Sequence, residues 1–372
     1  MKNIILKLFL PWLILLLLIG YFSQNFSHWD GIKNCYYKKY PPYFRWDSSW
    51  YTGIAQKGYT SFSAEKNSTA AFWPLYPATI NFFYHTFNIR PPKMAFLLSI
   101  CYAFLATILI YHLARLDYDK KESFQIILVF LSFPSSYYLI TVYPESLFVL
   151  LAAVSLYLGR KKFWFLAGVA SALLAFTKPY GALIMPVLFV EYLENINWQW
   201  NRALHKFDWL PLCFPAISVL IFIYYNYIHF NEPFAFAIAQ RTWGRSFGNP
   251  VIALFDEAKY YLFTNGSHIF SGGNIEYLIY LFSFFFSILA FIISWKTVRK
   301  SYLLFTGMIL LLALYSGTLT SWYRYMLLTF PILFGPALYL MKNKRLNYFY
   351  LAISLILLII ISSLFVRCYP VV

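Results

Sequence analysis

Apolar runs follow one another along almost the whole of this chain, and that succession leaves little room for a water-soluble fold. They lie at 4–22, 94–114, 123–140, 145–159, 163–177, 180–194, 208–228, 277–294, 301–317, 325–341 and 347–366. Of the 372 residues 60% are hydrophobic and 12% charged, where a soluble domain carries roughly 25% charged residues. A soluble core cannot use so much apolar surface, so the bilayer must be the solvent for most of it. The expectation is an all-α polytopic membrane protein with about 11 transmembrane helices, residues 1–372 forming one integral membrane domain. Several runs are shorter than the ~20 residues of a perpendicular span, a shortfall that tilt, local thinning or burial in the bundle can absorb.

The formal charge of +16 comes from 30 Lys and Arg against 14 acids. The basic residues sit in short clusters between apolar runs, with no basic stripe on a polar domain, so nucleic acid is not an expected partner. The N-terminal run resembles a signal peptide but lacks a small-x-small cleavage site, and reads as an uncleaved first helix. Segment 72–88 is apolar yet holds Pro74, Pro77, Asn81 and a run of aromatics, which suits a helix lying at the interface. Keeping 72–88 outside puts 16 of the 30 basic residues on the cytoplasmic side, among them Arg115, Arg160, Arg202, Lys206, Arg299 and Lys342. Only Lys178, Arg324 and Arg367 then fall in short outer connections, as the positive-inside rule requires. Making 72–88 a span would move Arg160-Lys161-Lys162 outside. The long external segments 23–93 and 229–276 therefore share one face with the turns near 139–145, 178–180 and 322–324, and function is expected there, on the non-cytoplasmic side.

Eight acids fall on that face: Asp30, Asp47, Glu65, Glu145, Glu232, Asp256, Glu257 and Glu276. Two sit in aromatic or proline-bounded surroundings at the membrane edge, Asp47 in Arg45-Trp46-Asp47 and Glu145 in Tyr143-Pro144-Glu145, and an ionisable group at membrane depth is a functional candidate by default. Each has a plainer reading. Asp47 could N-cap a helix over 48–57 that Gly58 ends, and Glu145 could complement the dipole of the span it opens. Four scattered cysteines, Cys35, Cys101, Cys213 and Cys368, make neither a disulfide scaffold nor a metal site; whether Cys35 and Cys368 pair stays open. The six His show no ligand spacing, and no phosphate-cradling glycine loop suggests a nucleotide, so neither metal nor cofactor is expected. Sequons at Asn25, Asn67 and Asn265 carry no weight, since Asn-rich loops yield them by chance.

The stretch from Arg45-Trp46-Asp47 through Tyr51, Ile54-Ala55 and Gly58-Tyr59 resembles the first luminal loop of PIG-V-type mannosyltransferases, of the GT-C superfamily. So do Ala71-Phe72-Trp73-Pro74-Leu75-Tyr76-Pro77 and Phe133-Pro134-Ser135-Ser136 followed by Tyr143-Pro144-Glu145-Ser146. Beyond about residue 180 the resemblance rests on helix number and the Tyr323-Arg324-Tyr325…Phe330-Pro331 element. Pro144 stands where the family often has Ser. The resemblance implies a GT-C-like fold with two interface helices in the first external loop. It also implies a polyprenyl- or dolichyl-phosphate hexose donor, with mannose foremost, and a lipid or glycan acceptor on the non-cytoplasmic face, of bacterial or archaeal plasma membrane rather than endoplasmic reticulum. Asp47 would be the catalytic base of an inverting transfer, with Glu145 a second catalytic acid and Arg45, Trp46, Tyr51 and Tyr323 near substrate.

A leaving phosphate needs positive charge. Arg324 is the first candidate, then Arg241, Arg245 and Lys178, since guanidinium donors suit phosphate. Lys178 could instead neutralise a helix C-terminus, and any of the four could meet lipid headgroups. Two other readings are a transporter or flippase of lipid-linked glycans, which would show repeated halves and mid-membrane charges, and a noncatalytic subunit of the same fold, which would not need Asp47.

Overall fold

The computed structural model describes residues 2–28, 35, 39–199, 201, 207–245, 247–259, 274–369 and 371. Asp30, Arg202, Lys206 and the sequon at 265 lie outside them. The described residues form helices and connecting turns, with no strand among them. In chain order the helices used below are α1 (Lys2–Ser23), α2 (Ser48–Lys57), α3 (Leu75–Phe87), α4 (Pro91–Ala114), α5 (Lys120–Ser132), α6 (Glu145–Arg160), α7 (Trp164–Ala175) and α8 (Ile184–Asn195). They continue with α9 (Phe214–Phe230), α10 (Pro250–Lys259), α11 (Asn274–Ser294), α12 (Lys300–Leu314), α13 (Trp322–Leu328), α14 (Phe334–Met341) and α15 (Lys344–Val366).

Local chemistry sets several boundaries. α4 opens on Pro91-Pro92, where the missing N–H groups would have no helical partner anyway. α5 opens on a capping box, Asp119 Oδ1 accepting from Glu122 N and Glu122 Oε2 from Asp119 N, both at 2.8 Å. α2 and α3 are the two helices expected in the first external loop. At 13 residues α3 is about 20 Å long, too short to cross a hydrocarbon core of about 30 Å.

Each of the eleven apolar runs overlaps a helix, but the expected span count is not reached by length and composition. Among the described residues four helical segments, 6–23, 91–114, 210–230 and 344–366, are long and apolar enough to cross a membrane, and a fifth is possible if α13 and the Phe330–Met341 segment, bent by 88°, form one span. Prolines explain much of the shortening. α5 stops at Ser132 because Pro134 forces Phe133 out of helical backbone, to ψ 135°. The α7–α8 connection turns at Lys178-Pro179 into a 3-10 segment, Pro179–Leu183. Non-helical backbone at membrane depth is tolerated where protein covers it, and residues 133–144 are almost all buried. The outer surface suits lipid: α15 exposes Ile353, Leu355, Ile356, Ile359 and Ile360.

The two faces derived from charge counting are each gathered in space. At one end of α6, Arg160 pairs with Asp117 at 2.7 Å, while Arg299 pairs with Glu191 at 2.6 Å and also with Glu194. All five are residues that the count places at cytoplasmic ends. Glu145 begins the same helix at its other end, about 24 Å away by helical rise, among the residues counted as external. Cys35 and Cys368, left open above, form a disulfide on that side.

Candidate active site

Asp47 is presented by a strained turn. Trp46 stands at φ 51°, a left-handed conformation that bulky residues rarely adopt. Arg45 holds that turn. It is fully buried, its Nε donating to the Val366 carbonyl at 2.8 Å and its Nη1 to the Phe44 carbonyl at 2.8 Å. The Asp47 N–H donates to the Tyr143 hydroxyl at 3.2 Å. The Asp47 side chain makes no capping hydrogen bond to α2, so the plainer reading of this residue does not describe its geometry. The carboxylate instead lines a cavity of about 320 Å³.

Three cations line the same cavity: Lys178, Arg245 and Arg324. Ser321, at φ 67°, turns the chain into α13 just before Arg324. The guanidinium lies 4.8 Å from the centre of the Tyr143 ring and 5.0 Å from that of Tyr138, positions that favour a cation. Its Nε and Nη2 donate to Glu145 Oε1 at 3.1 and 2.7 Å, and Lys178 Nζ donates to that oxygen at 2.8 Å. Gly181 lets the Lys178 turn close, because a Cβ there would strike the Leu174 carbonyl. Three cations stand against two carboxylates, leaving one positive charge for an anionic ligand. The remaining wall is largely aromatic and aliphatic, with Tyr51, Phe72, Trp73, Trp243 and Phe247.

The apolar wall disfavours ionisation, and the Asp47 carboxyl is pushed above its ordinary value against the opposing pull of Arg324 and then Arg245. Burial lowers the Lys178 ammonium, and Glu145 opposes that shift.

Several sequence-chosen residues land elsewhere. Glu145 is fully buried and does not line the cavity. It sits behind Arg324 and Lys178, and its geometry is that of a positioning residue rather than of a catalytic acid that touches substrate. Arg45 and Trp46 do not line the cavity; the Arg45 guanidinium is spent on backbone carbonyls. Tyr323 is turned into the interior, bonded to the Tyr138 hydroxyl at 2.9 Å and to the Val371 carbonyl. Arg241 is exposed and outside the lining. Tyr51, Lys178, Arg245 and Arg324 are brought together with Asp47 as expected. Missed from the sequence were Ser321, Tyr325 and Tyr180, whose hydroxyl donates to that of Tyr325 at 3.0 Å. Helical spacing could have found the first two, since Ser321, Arg324, Tyr325 and Leu328 share one face and Tyr323 does not.

The helical bundle, with two short helices, α2 and α3, between α1 and α4 and a charged cavity at their side, defines an integral membrane protein of GT-C-like fold. Among solved structures, the chain is similar to ArnT from Cupriavidus metallidurans bound to undecaprenyl phosphate, with TM-score 0.51 and 17% identity over 88% of this chain and 59% of that one. It also matches the Archaeoglobus fulgidus oligosaccharyltransferase, with TM-score 0.47 and 14% identity over 97% of this chain and 53% of that one. The chain thus spans little more than half the length of either. No family model matches it, PIG-V-type or other, and no curated protein matches its sequence.

Proposed function

We propose that this protein is an inverting glycosyltransferase that moves a hexose, with mannose the first choice, from a polyprenyl-phosphate carrier to a lipid or glycan acceptor on the non-cytoplasmic face. The observation that carries this reading is the pairing of one uncapped carboxylate, Asp47, with three cations across a largely apolar cavity. Asp47 takes the proton of the acceptor hydroxyl as its oxygen bonds to the sugar's anomeric carbon. The bond from that carbon to the phosphate oxygen breaks on the opposite side, and Arg324, Lys178 and Arg245 stabilise the departing phosphate. A carboxyl with a raised pKa is the better base. The Cys35–Cys368 disulfide supports the sidedness, since such bonds persist on the oxidising side of a membrane.

Purified protein incubated with polyprenyl-phosphate mannose and a membrane glycolipid extract should release free polyprenyl phosphate and form a mannosylated product. Absence of release from mannose-bearing and other hexose-bearing polyprenyl phosphates alike would overturn the proposal.

A further inference from the structure

The residues of α2 divide between two voids. Asp47 and Tyr51, four residues apart, line the cavity described above; Ser49, Thr52, Gly53 and Gln56, on another face, line a groove of about 630 Å³. Trp50 stands between. It borders the groove, and its ring stacks on Phe72 at 5.6 Å and meets Trp243 edge-on at 6.3 Å, both of which line the cavity. The two spaces are thus separated by one helix and one aromatic layer, and Asp47 lines the cavity but not the groove.

The groove has its own chemistry. Lys39, Lys57 and Arg90 line it, all three exposed, and no carboxylate stands among the described residues that do. None of the three is ion-paired to a described residue. Between them lie the rings of Tyr40, Trp50 and Tyr84 and the polar groups of Ser49, Thr60 and Gln56. Aromatic faces flanked by hydroxyl and amide groups suit sugar rings, cations suit an attached anionic group, and the volume falls in the range of a ligand site. Gly53 keeps the floor open: a Cβ there would meet nothing within 4 Å, although glycine inside a helix weakens it relative to alanine.

We propose that this groove holds the acceptor by a phosphate or carboxylate group on its glycan, apart from the cavity in which Asp47 meets the reacting hydroxyl. The assignment rests on the proposed transfer reaction, but its test does not use that reaction. Full-length protein in phosphatidylcholine nanodiscs is equilibrated, without donor, against radiolabelled mannotriose carrying one phosphate and against neutral mannotriose. The phosphorylated sugar should bind at least about tenfold more tightly, and Lys57→Gln with Arg90→Gln should remove that preference. Gly53→Leu fills the groove at a position where the helix gains stability, and should weaken binding of both sugars without loss of fold. Arg241→Gln should leave binding unchanged, because Arg241 is exposed and lines neither space. Equal binding of the two sugars, wild-type binding by the groove variants, or loss of binding in Arg241→Gln would overturn the assignment. So would complete displacement by phosphatidylglycerol in the discs, which would make the groove a headgroup site. A protein that fails to transfer mannose yet shows this binding pattern would separate the groove from the transferase reading.

Discussion

Arg324 and Glu145, 179 residues apart in the chain, meet through two hydrogen bonds to a single carboxylate oxygen, and Lys178 meets that same oxygen from the neighbouring turn. The second oxygen, Oε2, is buried with no hydrogen-bond partner in the described structure. All of these hydrogen bonds therefore converge on Oε1, and both cations also line the cavity. Glu145 holds two like charges close together where an anion can use them.

Removing that acid should cost stability first. Glu145→Gln deprives Arg324 and Lys178 of the carboxylate they share, and loss of one partner of a buried pair costs about 3–5 kcal/mol. Thermal unfolding of the purified variant should show a clear drop in midpoint. An unchanged midpoint would mean that Glu145 does not hold the two cations.

Arg324 contributes two nitrogens to one oxygen in a fixed fork, which an ammonium cannot copy. Arg324→Ala should lower donor use by ~10²-fold or more, the scale for losing one charge-stabilising group. Arg324→Lys should recover little of it. Rates measured at saturating and limiting donor test this, and full activity in the alanine variant would take Arg324 out of the site.

Asp47 fixes a pH dependence. Its pKa is raised by desolvation and held down by Arg324 and Arg245, and the base works only when ionised. The acid limb of the transfer rate should therefore lie above that of an ordinary aspartate, with activity rising as pH increases through the raised pKa. Arg245→Ala removes one of the groups holding it down, so the limb should move to higher pH. A limb unmoved by that change would separate Arg245 from Asp47.

Sidedness can be read directly. With Cys101 and Cys213 replaced by serine, a single cysteine at exposed Ala64 should react with an impermeant thiol reagent from outside intact cells, and one at exposed Lys161 should not. Labelling at 161 from outside would invert the assignment of faces.

Much of this arrangement was legible in the residues. The apolar runs fixed the fold class, the basic clusters sorted residues into two groups that do meet in space, and the Trp46-Asp47 pair marked the turn that faces the cavity. What could not be read was which way side chains point across the bundle. Arg45 stands two residues before Asp47, yet its guanidinium reaches the carbonyls of Pro41, Phe44 and Val366, the last a long-range contact with no local signature. The burial of Glu145 and Tyr323 away from the cavity lining was hidden for the same reason, since burial behind another side chain is a tertiary property. Span number cannot be read from apolar runs alone, because a run reads alike whether it forms one long helix or, as at 123–140, a short helix and a covered turn.

The central claim is that Asp47 is the base, and the direct measurement is sugar transfer by Asp47→Asn beside its thermal midpoint. Because the folded pKa is raised above the unfolded one, ionising this side chain costs folding stability as pH rises through the folded value. Asparagine lacks that cost, and no cap is lost because Asp47 makes none. The variant should keep or exceed the wild-type midpoint at pH 7 while transfer falls by ~10²-fold or more. Wild-type transfer by a folded Asp47→Asn protein would contradict the assignment.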